Sequence, residues 1–353
     1  DVLNTLQELA TYHRNYCKAK IIALTGSNGK TTTKALINQV LSQKYKTIAT
    51  QGNLNNHIGV PLSLLQLQED TEIGIIEMGA NHQKEIEFLS AIAQPDFGYI
   101  TNFGKAHLEG FGGVQGVIKG KSELYTHIFE TGGLIFYNAD DPIQLEKLSQ
   151  YPSKFGYSTT DKADLQIKLT EANPFVSLKT DGVTINTHLI GSYNFPNCCA
   201  SILMGHYFKV PTLAIKKGIE DFIPADNRSQ LVEKNGHKII LDAYNANPSS
   251  MEVTLQYFKN LKAEHKTIFL GDMFELGVDA EIEHQKIASL AKSMKFDKVF
   301  LVGEHFNKTA IDLPKYSSFD ELANHLKSNQ LAASTLLIKG SRGMALERIL
   351  DYL

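Results

Sequence analysis

Short apolar runs alternate with amphipathic helical segments along most of the chain, and this alternation constrains the fold more than any other feature. From Lys20 to about Tyr151 the strand-like runs are KIIALT, KTIAT, IGIIEMG, FGYITN and GLIFYNAD. After DFIPADNRSQ the alternation starts again, with KIILDAYNANP, KTIFLGD, KVFLVG and STLLIKGSRG. Strands that alternate with helices predict mostly parallel sheets with helices on both faces. The chain is therefore predicted to be an α/β protein.

A length of 353 residues predicts two domains, each large enough for its own core. We place the boundary near Pro224, so that residues 1–224 form the first domain and residues 225–353 the second. Within the first, FVSLKTDGVTINTHLI alternates apolar and polar residues around an Asp-Gly turn, which is typical of a hairpin. We therefore expect a small antiparallel β lobe at about residues 154–190.

Composition and charge exclude several classes of protein. The formal net charge is −3, so the chain lacks the basic excess with which general nucleic-acid-binding proteins release counterions. No apolar run approaches the ~20 residues that a membrane-spanning helix needs. The three cysteines (Cys17, Cys198 and Cys199) match no metal-ligand spacing and suit a reducing compartment. We expect a cytoplasmic protein that binds no nucleic acid and has no membrane span.

The stretch TGSNGKTTTK, residues 25–34, follows the first predicted strand and has the composition of a phosphate-binding loop. Gly26 and Gly29 allow a tight turn that brings backbone N–H groups close to an anion, and the dipole of the following helix points to the same place. Lys30 can reach terminal phosphates, and the hydroxyl of Thr31 can ligate Mg²⁺. The stretch therefore predicts a nucleotide phosphate site.

Polar residues follow several other predicted strands, at the edge where ligands collect in a parallel sheet. Glu77 ends one strand and is a candidate Mg²⁺ ligand, with an exposed strand-end carboxylate as the alternative. His107 follows another strand and is either a ligand near the phosphate loop or a packing residue. The segment GNLNNHIGVP gathers asparagines that suit a polar substrate or a plain turn: Asn53, Asn55 and Asn56.

Five further residues have structural alternatives that the sequence leaves open. Lys119 and Lys121 are interpreted most simply as two solvated lysines that enter a helix. In LDAYNANP, Asp242 suits hydrogen bonds from ribose hydroxyls, and ordinary turn chemistry explains it about as well. Arg228 and Arg342 are either cations that meet phosphate or carboxylate, or surface arginines.

Eight blocks occur in an order that resembles the Mur ligases of bacterial cell-wall synthesis: TGSNGKTTTK, NNHIGVP, EMGANHQKEI, NFGKAHLEGFG, KGKSEL, DAYNANPSSM, GDMFELG and KGSRGMALE. The resemblance covers nearly the whole chain, and the ordered set is far more specific than the Gly-Lys-Thr loop alone. DAYNANPSSM and GDMFELG resemble the branch that adds D-alanyl-D-alanine to a UDP-N-acetylmuramoyl-tripeptide. The expected fold is a P-loop domain with a mostly parallel sheet and a small antiparallel lobe, followed by a Rossmann-like α/β domain.

The resemblance also implies an ATP-dependent amide ligase in which ATP first converts a carboxylate into an acyl phosphate. Lys30, Glu77, His107 and Lys121 would be the catalytic residues, with Lys30 on the γ-phosphate. The residues assigned to ATP are Gly26, Ser27, Asn28, Gly29, Lys30, Thr31, Thr32, Asn194, Asn197, Arg228 and Asp242. Those assigned to two Mg²⁺ ions are Thr31, Glu77, His107 and Lys121, the last as a carbamylated lysine. Those assigned to the substrates are Asn53, Asn55, Asn56, Asn245, Asn247, Ser341 and Arg342.

Two features depart from the family pattern. Tyr193 stands where the family usually has a histidine before the asparagine that is Asn194 here. The N-terminal domain with which these ligases bind the uridine end of the substrate is missing. Because DVLNTLQELATYHRNY resembles a helix already under way, we expect a truncated ligase.

Three alternative functions stay open at this point. The first is another ATP-dependent ligase of the same group, either one that adds a single amino acid or one that adds a glutamate to folate. The second is a P-loop phosphotransferase or NTPase that makes no amide, although a second α/β domain and the late Arg342 motif would then have no explanation. The third is a non-catalytic binding module. We expect the protein to be a monomer.

Overall fold

The computed structural model describes residues 1–160, 162–225 and 227–353, in which the chain forms two compact units. The first unit contains residues 1–104, 110–188 and 193–222, and the second contains residues 105–109, 189–192 and 223–353. Two short segments, residues 105–109 and 189–192, therefore pack with the second unit although they precede residue 223. Among the described residues, no helix combines the length and the apolar character that crossing a membrane requires.

Up to residue 222 the chain alternates helices and strands around a parallel sheet. The helices are α1 (Val2–Cys17), α2 (Lys30–Leu41), α3 (Gly59–Leu64), α4 (Glu85–Ala93), α5 (Leu108–Phe111), α6 (Val114–Thr131), α7 (Pro142–Lys147), α8 (Phe195–Tyr207) and α9 (Thr212–Glu220). The strands are β1 (Lys20–Thr25), β2 (Thr47–Ala49), β3 (Ile73–Glu77), β4 (Phe97–Ile100), β5 (Leu134–Asn138), β6 (Lys154–Ser158), β7 (Leu165–Gln166), β8 (Lys168–Ala172), β9 (Phe175–Thr180) and β10 (Val183–Ile190). A 3-10 turn, Ser192–Asn194, precedes α8.

The large sheet of the first unit has the strand order β2-β3-β1-β4-β5-β6-β7, and its neighbouring strands are parallel. Strand β1 lies inside the sheet, with Leu24 opposite Glu77 of β3 and opposite Tyr99 of β4. The carboxyl ends of these strands therefore meet at one edge. The phosphate loop, Glu77 and the segment after β4 all start from that edge, which confirms the predicted parallel architecture.

The small sheet has the order β10-β9-β8, and Asp181 and Gly182 join its two longer strands with φ values of 47° and 77°. Two positive φ angles are typical of the type I′ turn that closes a two-residue hairpin, as the Asp-Gly sequence predicts. The extent predicted for this lobe, residues 154–190, is too long. Strands β6 and β7 join the large sheet in parallel instead. Buried residues such as Tyr157 suit β6 to its position inside this sheet, and β7 forms the edge beside it.

Helix α2, which carries the phosphate loop at its start, packs closely against α8 and α9. Gly205 of α8 lacks a Cβ that would lie 2.7 Å from Cγ1 of Val40, and Gly218 of α9 lacks one that would lie 2.9 Å from O of Gln39. Both distances are too short for a real side chain, so glycine allows the helix backbones to approach. The C-terminal half of α2 is therefore held on two sides.

From residue 223 onward the chain forms a second α/β unit, whose elements alternate as the sequence predicts. The strands are β11 (Gln230–Lys234), β12 (His237–Asp242), β13 (Lys266–Gly271), β14 (Lys298–Val302), β15 (Lys315–Tyr316) and β16 (Thr335–Lys339). The helices are α10 (Pro248–Asn260), α11 (Ala280–Ser293), α12 (Glu304–Asn307) and α13 (Phe319–Ser328), with 3-10 helices at Gly277–Asp279, Arg342–Met344 and Leu346–Tyr352.

The sheet of the second unit has the order β11-β12-β16-β13-β14-β15, in which only the β11–β12 pair of the described residues is antiparallel. The last strand, β16, lies between β12 and β13, so the chain changes direction across the sheet at this point. In such sheets ligands bind in the crevice outside the carboxyl ends of the strands at the switch. Asp242 ends β12 and Lys339 ends β16 at that position.

Candidate active site

Two glycines determine the shape of the loop between β1 and α2. Gly26 has φ +142° and Gly29 has φ +80°, values that residues with a Cβ rarely adopt. A Cβ on Gly26 would lie 2.0 Å from Oγ1 of Thr101, and one on Gly29 would lie 2.5 Å from Oδ1 of Asn197. Both positions therefore require glycine, and the loop brings its backbone N–H groups to the start of α2.

The segment after β4 holds this loop in place. N of Ser27 donates to O of Asn102 at 3.1 Å, and Oγ of Ser27 donates to O of Gly104 at 2.7 Å. N of Asn28 donates to Oδ1 of Asn102 at 3.1 Å, while O of Asn28 accepts from Oγ1 of Thr101 at 2.6 Å. The side chains of Ser27 and Asn102 thus support the loop, so that its shape does not depend on a bound ligand.

Lys30 begins α2, and its side chain folds back over the loop. Nζ donates to O of Gly26 at 2.7 Å and to O of Ser27 at 3.5 Å. Thr31 and Thr32 follow in the first turn and are half-buried, at the positive end of the helix dipole. The ammonium group is therefore already at the loop, held by carbonyl groups that a phosphate would replace as acceptors.

Glu77 is the centre of a buried polar cluster. Its side chain is 1% exposed. Oε1 accepts from Nδ2 of Asn55 at 2.8 Å and from Oγ1 of Thr31 at 3.3 Å. Oε2 lies 3.2 Å from Nζ of Lys34, yet it accepts no hydrogen bond from the described residues; Lys34 donates to O of Gly52 at 3.0 Å. The alternative of an exposed strand-end carboxylate is therefore wrong.

Lys34 is a residue of this cluster that the sequence analysis missed. It is 6% exposed and lies one helical turn after Lys30, so the two lysines share a face of α2. The spacing of four residues from Lys30 is its signal in the sequence, but this spacing does not indicate burial. Its position beside Glu77 places a buried cation next to the carboxylate, which offsets part of the cost of burying a charge.

The residues around Glu77 fit Mg²⁺ in the form in which nucleotide-dependent enzymes usually hold it. Among the described residues, no group of three or more His, Cys, Asp or Glu side chains is arranged to hold a metal ion. Mg²⁺ bound with a nucleotide needs only one or two protein ligands, because water and phosphate oxygens complete its coordination. The carboxylate of Glu77, with one oxygen free of hydrogen bonds, and the hydroxyl of Thr31 supply such a pair.

The three asparagines of the segment before α3 differ in their surroundings. Asn55 contacts Glu77, and its backbone O accepts from N of Gly79 at 2.8 Å. Oδ1 of Asn56 accepts from N of Ile58 at 3.1 Å and from N of Gly59 at 2.9 Å, in the turn that leads into α3. Asn53 is exposed. The structure thus brings only Asn55 to the Glu77 cluster.

Lys121 is deeply buried in α6, and the interpretation of it as a solvated lysine is wrong. It is 1% exposed, whereas Lys119 on the same helix is exposed. Nζ donates to O of Ala80 at 3.1 Å and lies 5.0 Å from the ring centre of Phe111. Burial, and after it the positive charge of Lys30, hold the pKa of the Lys121 ammonium well below its ordinary value.

His107 lies in the segment that packs with the second unit. It is half-buried with φ 53°, and its Nδ1 lies 2.5 Å from Oε2 of Glu275. The side chain of His107 lowers the pKa of the Glu275 carboxyl from its ordinary value. The contact that the structure shows for His107 therefore lies within the second unit.

Asn194 and Asn197 lie at the start of α8, next to the phosphate loop. Oδ1 of Asn197 accepts from Oγ1 of Thr33 at 3.0 Å, and a Cβ on Gly29 would lie only 2.5 Å from the same oxygen. Nδ2 of Asn197 donates to Oδ1 of Asn194 at 2.8 Å. Both asparagines are buried. The structure thus joins them to the first turn of α2.

In the second unit, Asp242 makes a buried ion pair with Lys339. Nζ of Lys339 lies 2.5 Å from Oδ2 of Asp242, and the lysine side chain is 2% exposed. N of Ser229 donates to Oδ1 at 3.2 Å, and Oγ1 of Thr254 donates to Oδ2 at 3.4 Å. Lys339 was not predicted as a site residue, because a lysine at a strand end is usually solvated. Its partner Asp242 lies beside it only once the sheet has formed.

Arg228 and Arg342 lie near the same aromatic ring. The guanidinium carbon of Arg228 is 3.4 Å from the ring centre of Tyr244, and that of Arg342 is 5.6 Å from it. Nε of Arg228 is buried and donates to no acceptor among the described residues. The two arginines are therefore brought together in one unit, as an anion site requires.

The other residues assigned to substrates in this unit have structural contacts. Oδ1 of Asn247 accepts from N of Ser250 at 2.9 Å and so caps α10. Oγ of the buried Ser341 accepts from N of Phe274 at 3.0 Å. Oδ1 of Asn245 accepts from the next backbone N–H. These contacts explain the three side chains without a ligand.

A cavity of about 430 Å³ opens at the carboxyl ends of β13 to β16, and the sequence analysis did not find it. Its wall combines both signs of charge, from Glu304, Asp320 and Arg348, with apolar side chains such as Phe274 and Met344. The guanidinium carbon of Arg348 stacks 3.8 Å from the ring centre of Phe319, which lines the same cavity. Such a lining suits a small zwitterion with apolar substituents.

The floor of this cavity rests on buried Asp272. Its two carboxylate oxygens accept from N of His305 and from N of Phe306, each at 2.9 Å, and so hold the start of α12. Nε2 of His284 accepts from N of Met273 at 2.9 Å, and Nδ1 lies 2.7 Å from O of Ala280. These contacts require neutral His284, and burial lowers its pKa.

Two protein-family models match the chain. The Mur ligase middle domain matches residues 24–205, and the glutamate ligase domain of Mur ligases matches residues 227–342. The chain is 35% identical to the UDP-N-acetylmuramoyl-tripeptide--D-alanyl-D-alanine ligase of Bacillus subtilis, over 100% of this chain and 80% of that protein. It is 32% identical to the Escherichia coli protein of the same name, over 98% and 79%.

Solved structures are similar as well. A crystal structure of MurF from Acinetobacter baumannii superposes with a TM-score of 0.89 and 31% identity, over 99% of this chain and 80% of that one. MurF ligase from Thermotoga maritima, solved in complex with ADP, superposes with a TM-score of 0.88 over 100% and 83%, and its 24% identity shows likeness of fold.

Proposed function

Because the chain belongs to the Mur ligase family, we propose that it is an ATP-dependent amide ligase of peptidoglycan precursor synthesis that joins D-alanyl-D-alanine to a UDP-N-acetylmuramoyl-tripeptide. The observation that carries the proposal is the phosphate loop with Lys30 folded over it, next to the buried cluster of Glu77 and Thr31. The likeness to ligases of that name over nearly the whole chain supplies the two substrates.

The chemistry explains why an amide ligase needs such a loop. A carboxylate is a poor electrophile, so the terminal phosphoryl group of ATP is transferred to it and ADP leaves. The amine of D-alanyl-D-alanine then attacks the acyl phosphate, and the C–O bond to phosphate breaks as the amide forms. Phosphate and a proton are released. Positioning and neutralisation of charge supply most of the catalysis in such phosphoryl transfers.

We propose that residues Gly26 to Thr32 hold the phosphates of ATP. The φ angles of Gly26 and Gly29 and the start of α2 direct N–H groups and a helix dipole to one place. Lys30 would leave the carbonyl of Gly26 and donate to the γ-phosphate, stabilising the charge that develops during transfer. Ser27 and Asn28 keep the loop in shape.

We propose Thr31 and Glu77 as ligands of one Mg²⁺ ion, and His107 with a carbamylated Lys121 as ligands of a second. Mg²⁺ would supply positive charge on the transferred phosphoryl group. The contacts of Glu77 support the first assignment, since one of its oxygens is free of hydrogen bonds. The burial of Lys121 supports the second: its lowered pKa favours the neutral amine, which is the form that reacts with CO₂.

For the rest of the nucleotide we propose Asn194 and Asn197 near the adenine, Asp242 on the ribose and Arg228 on the phosphates. Support comes from the contact of Asn197 with the first turn of α2 and from the unpartnered Nε of Arg228. Asn53, Asn55, Asn56, Asn245, Asn247, Ser341 and Arg342 stay predictions as substrate contacts. For Asn56, Asn247 and Ser341 the structural contacts already account for the side chain.

We propose the cavity at the ends of β13 to β16 as the site of D-alanyl-D-alanine. The dipeptide has an ammonium group, a carboxylate and two methyl groups. Arg348 would pair with the carboxylate, Glu304 and Asp320 would attract the ammonium group, and Phe274 and Met344 would contact the methyl groups. The volume of about 430 Å³ lies in the range of small-molecule sites.

The proposal also covers the roles of the two domains, the cellular compartment and the oligomeric state. Residues 1–224 would act as the ATP-binding domain and residues 225–353 as the ligase domain. We propose a cytoplasmic monomer, supported by three free, buried cysteines and by a nucleotide-linked substrate.

The test is release of phosphate from ATP with Mg²⁺, measured with the muramoyl-tripeptide, with D-alanyl-D-alanine, and with both. The proposed ligase releases phosphate at full rate only with both, and mass spectrometry detects the amide product. Release with a single amino acid in place of the dipeptide would favour another ligase of the group. Release that needs no amine would favour a phosphotransferase and would contradict the proposal.

A further inference from the structure

Tyr244 lies at the centre of the cations of the second unit, and none of the proposed functions assigns it a role. It follows β12, two residues after Asp242. Its ring centre is 3.4 Å from the guanidinium carbon of Arg228 and 5.6 Å from that of Arg342. One aromatic ring therefore faces two arginines, of which Arg228 belongs to the segment where the chain enters the second unit.

Two guanidinium groups lie near the ring of Tyr244, those of Arg228 and Arg342. Asp242, two residues before Tyr244, has its Oδ2 already paired to Nζ of Lys339 at 2.5 Å. Two guanidinium groups near one ring repel each other, so their proximity needs a compensating interaction. The electron-rich face of the ring supplies part of it. The two guanidinium groups and the unpartnered Nε of Arg228 favour an anion with several oxygens.

A ring suits this purpose better than a carboxylate. A carboxylate beside Arg228 would accept its N–H donors and cancel its charge. A ring covers the face of the planar guanidinium group and leaves the donors along its edge free for a ligand. Tyr244 can therefore fix the orientation of the arginines without competing for their hydrogen bonds.

We propose that Tyr244 is a positioning residue for the phosphate groups of ATP, acting through Arg228 and Arg342, which its ring holds in the orientation that binds phosphoryl oxygens. The inference rests on the proposed use of ATP. The hydroxyl of Tyr244 has no part in it, so a phenylalanine replaces the residue without loss. A cation–π contact of this kind accounts for about a tenfold change in affinity.

The experiment measures binding of ATP–Mg²⁺ and of adenosine to the wild type, Tyr244→Phe and Tyr244→Leu, by calorimetry and by competition. Tyr244→Leu is expected to weaken ATP–Mg²⁺ about tenfold and adenosine less than twofold, because adenosine has no phosphate. Tyr244→Phe should stay within twofold for both. In turnover, Tyr244→Leu should raise KM for ATP about tenfold, with kcat and KM for the uridine-linked substrate nearly unchanged. Tyr352→Leu is the control, since Lys327 lies 5.7 Å from that ring centre in the same unit.

A double-mutant comparison separates positioning from mere packing. In an Arg228→Ala background, Tyr244→Leu should cost little further ATP affinity, because the ring acts through that arginine. If melting curves show that Tyr244→Leu is unfolded, Arg228→Lys is tested instead. This variant keeps the positive charge but lacks the planar guanidinium group that stacks on the ring, and it should bind ATP–Mg²⁺ about tenfold more weakly. An unchanged affinity for ATP–Mg²⁺ in either variant overturns the proposal, and so does an equal loss of affinity for adenosine. The proposal is also wrong if Tyr244→Phe binds ATP–Mg²⁺ as weakly as Tyr244→Leu, or if the losses of Arg228→Ala and Tyr244→Leu add up in the double mutant.

The failure of the proposed function has a different signature. If the wild type binds no ATP–Mg²⁺, the use of ATP itself is wrong and the role of Tyr244 falls with it. If the wild type binds ATP–Mg²⁺ and Tyr244→Leu binds it equally well, the proposed ligase is unaffected and only the role of Tyr244 is wrong.

Discussion

The carboxyl edges of the two parallel sheets arrange charge in different ways. At the edge of the first sheet the charged groups find partners within the protein: Glu77 lies beside Lys34, and Lys30 donates to loop carbonyls. At the edge of the second sheet Arg228 and Arg342 gather at an aromatic ring. The first edge offers an anion mainly backbone N–H groups and a helix dipole, and the second offers side-chain cations.

The two edges are therefore expected to be sensitive to different kinds of substitution. A site built from backbone depends on glycines and on the few side chains that reach the reacting group, whereas its other side chains mainly maintain shape. A site built from arginines depends on how those side chains are oriented. We therefore expect single changes in the first unit to reduce the rate of chemistry, and changes in the second unit mainly to weaken binding.

The largest effect is expected for Lys30→Ala, in which turnover should fall about 1000-fold because no other side chain can replace the charge at the γ-phosphate. The melting temperature should change little, since Nζ of Lys30 donates to carbonyl groups of the loop itself. Phosphate release and thermal melting are measured in parallel, with the surface variant Lys119→Ala as the control. Near-normal turnover would show that the loop does not serve phosphoryl transfer.

Lys121→Ala should reduce turnover about 100-fold, while Lys119→Ala, on the exposed face of the same helix, should change it less than twofold. If Lys121 is carbamylated, Lys121→Glu should retain more activity than Lys121→Arg, because only glutamate restores an anion. Intact mass under CO₂ should show the adduct. A crystal structure with nucleotide and metal bound that shows an unmodified ammonium group would rule it out.

In the second unit, Arg348→Ala should raise KM for D-alanyl-D-alanine about tenfold and leave KM for ATP unchanged, since Arg348 lines the cavity at the strand ends. Lys298→Ala is the matched control: it removes an exposed cation from the opposite end of β14. Initial rates at varied dipeptide and varied ATP separate the two constants. Equal increases in both would mean that the cavity is not a separate dipeptide site.

The smallest effect concerns the stability of the second unit at acid pH. Burial lowers the pKa of His284, so the unfolded chain takes up the proton more readily than the folded one. The free energy of unfolding should therefore be level above the unfolded pKa of about 6.5 and fall as the pH drops below it. His284→Gln should reduce this loss by about 1 kcal/mol between pH 7 and pH 5, whereas the exposed His265→Gln should not. Urea titrations across this range provide the measurement; identical slopes in all three proteins would contradict it.

Local sequence patterns predicted much of the fold, because strand and turn signals are local. The apolar runs that become β1 to β5 and the Asp-Gly turn all occur where expected. Strands β6 and β7 were assigned to the wrong sheet. Strand β6 pairs in parallel with β5, and β7 pairs in parallel with β6, so no hairpin turn in the sequence marks either pair. Which sheet a short strand joins depends on contacts that the local pattern does not contain.

The candidate site was predictable where a motif requires a particular residue, and not where burial decides the role. Glycines and Lys30 follow from the chemistry of a phosphate loop. The roles of Lys34, Lys339 and Tyr244 do not follow from a motif, because lysines are usually exposed to solvent and tyrosines usually contribute to packing. Only the fold shows that the two lysines are buried beside carboxylates and that the tyrosine lies beside two arginines.

The glycines that hold α2 have a consequence for how this protein can vary. Gly205 and Gly218 contact α2 near Val40, which lies ten residues, or about 15 Å along the helix axis, from Lys30. A methyl group added to Gly218 would press on backbone atoms of Gln39 and Val40, whereas one added to Gly205 would press on the side chains of Val40 and Ile215. A shift of α2 that relieves such a contact would also move the loop at the other end of the helix, so a loss of activity in variants of these glycines would reflect a displaced phosphate site.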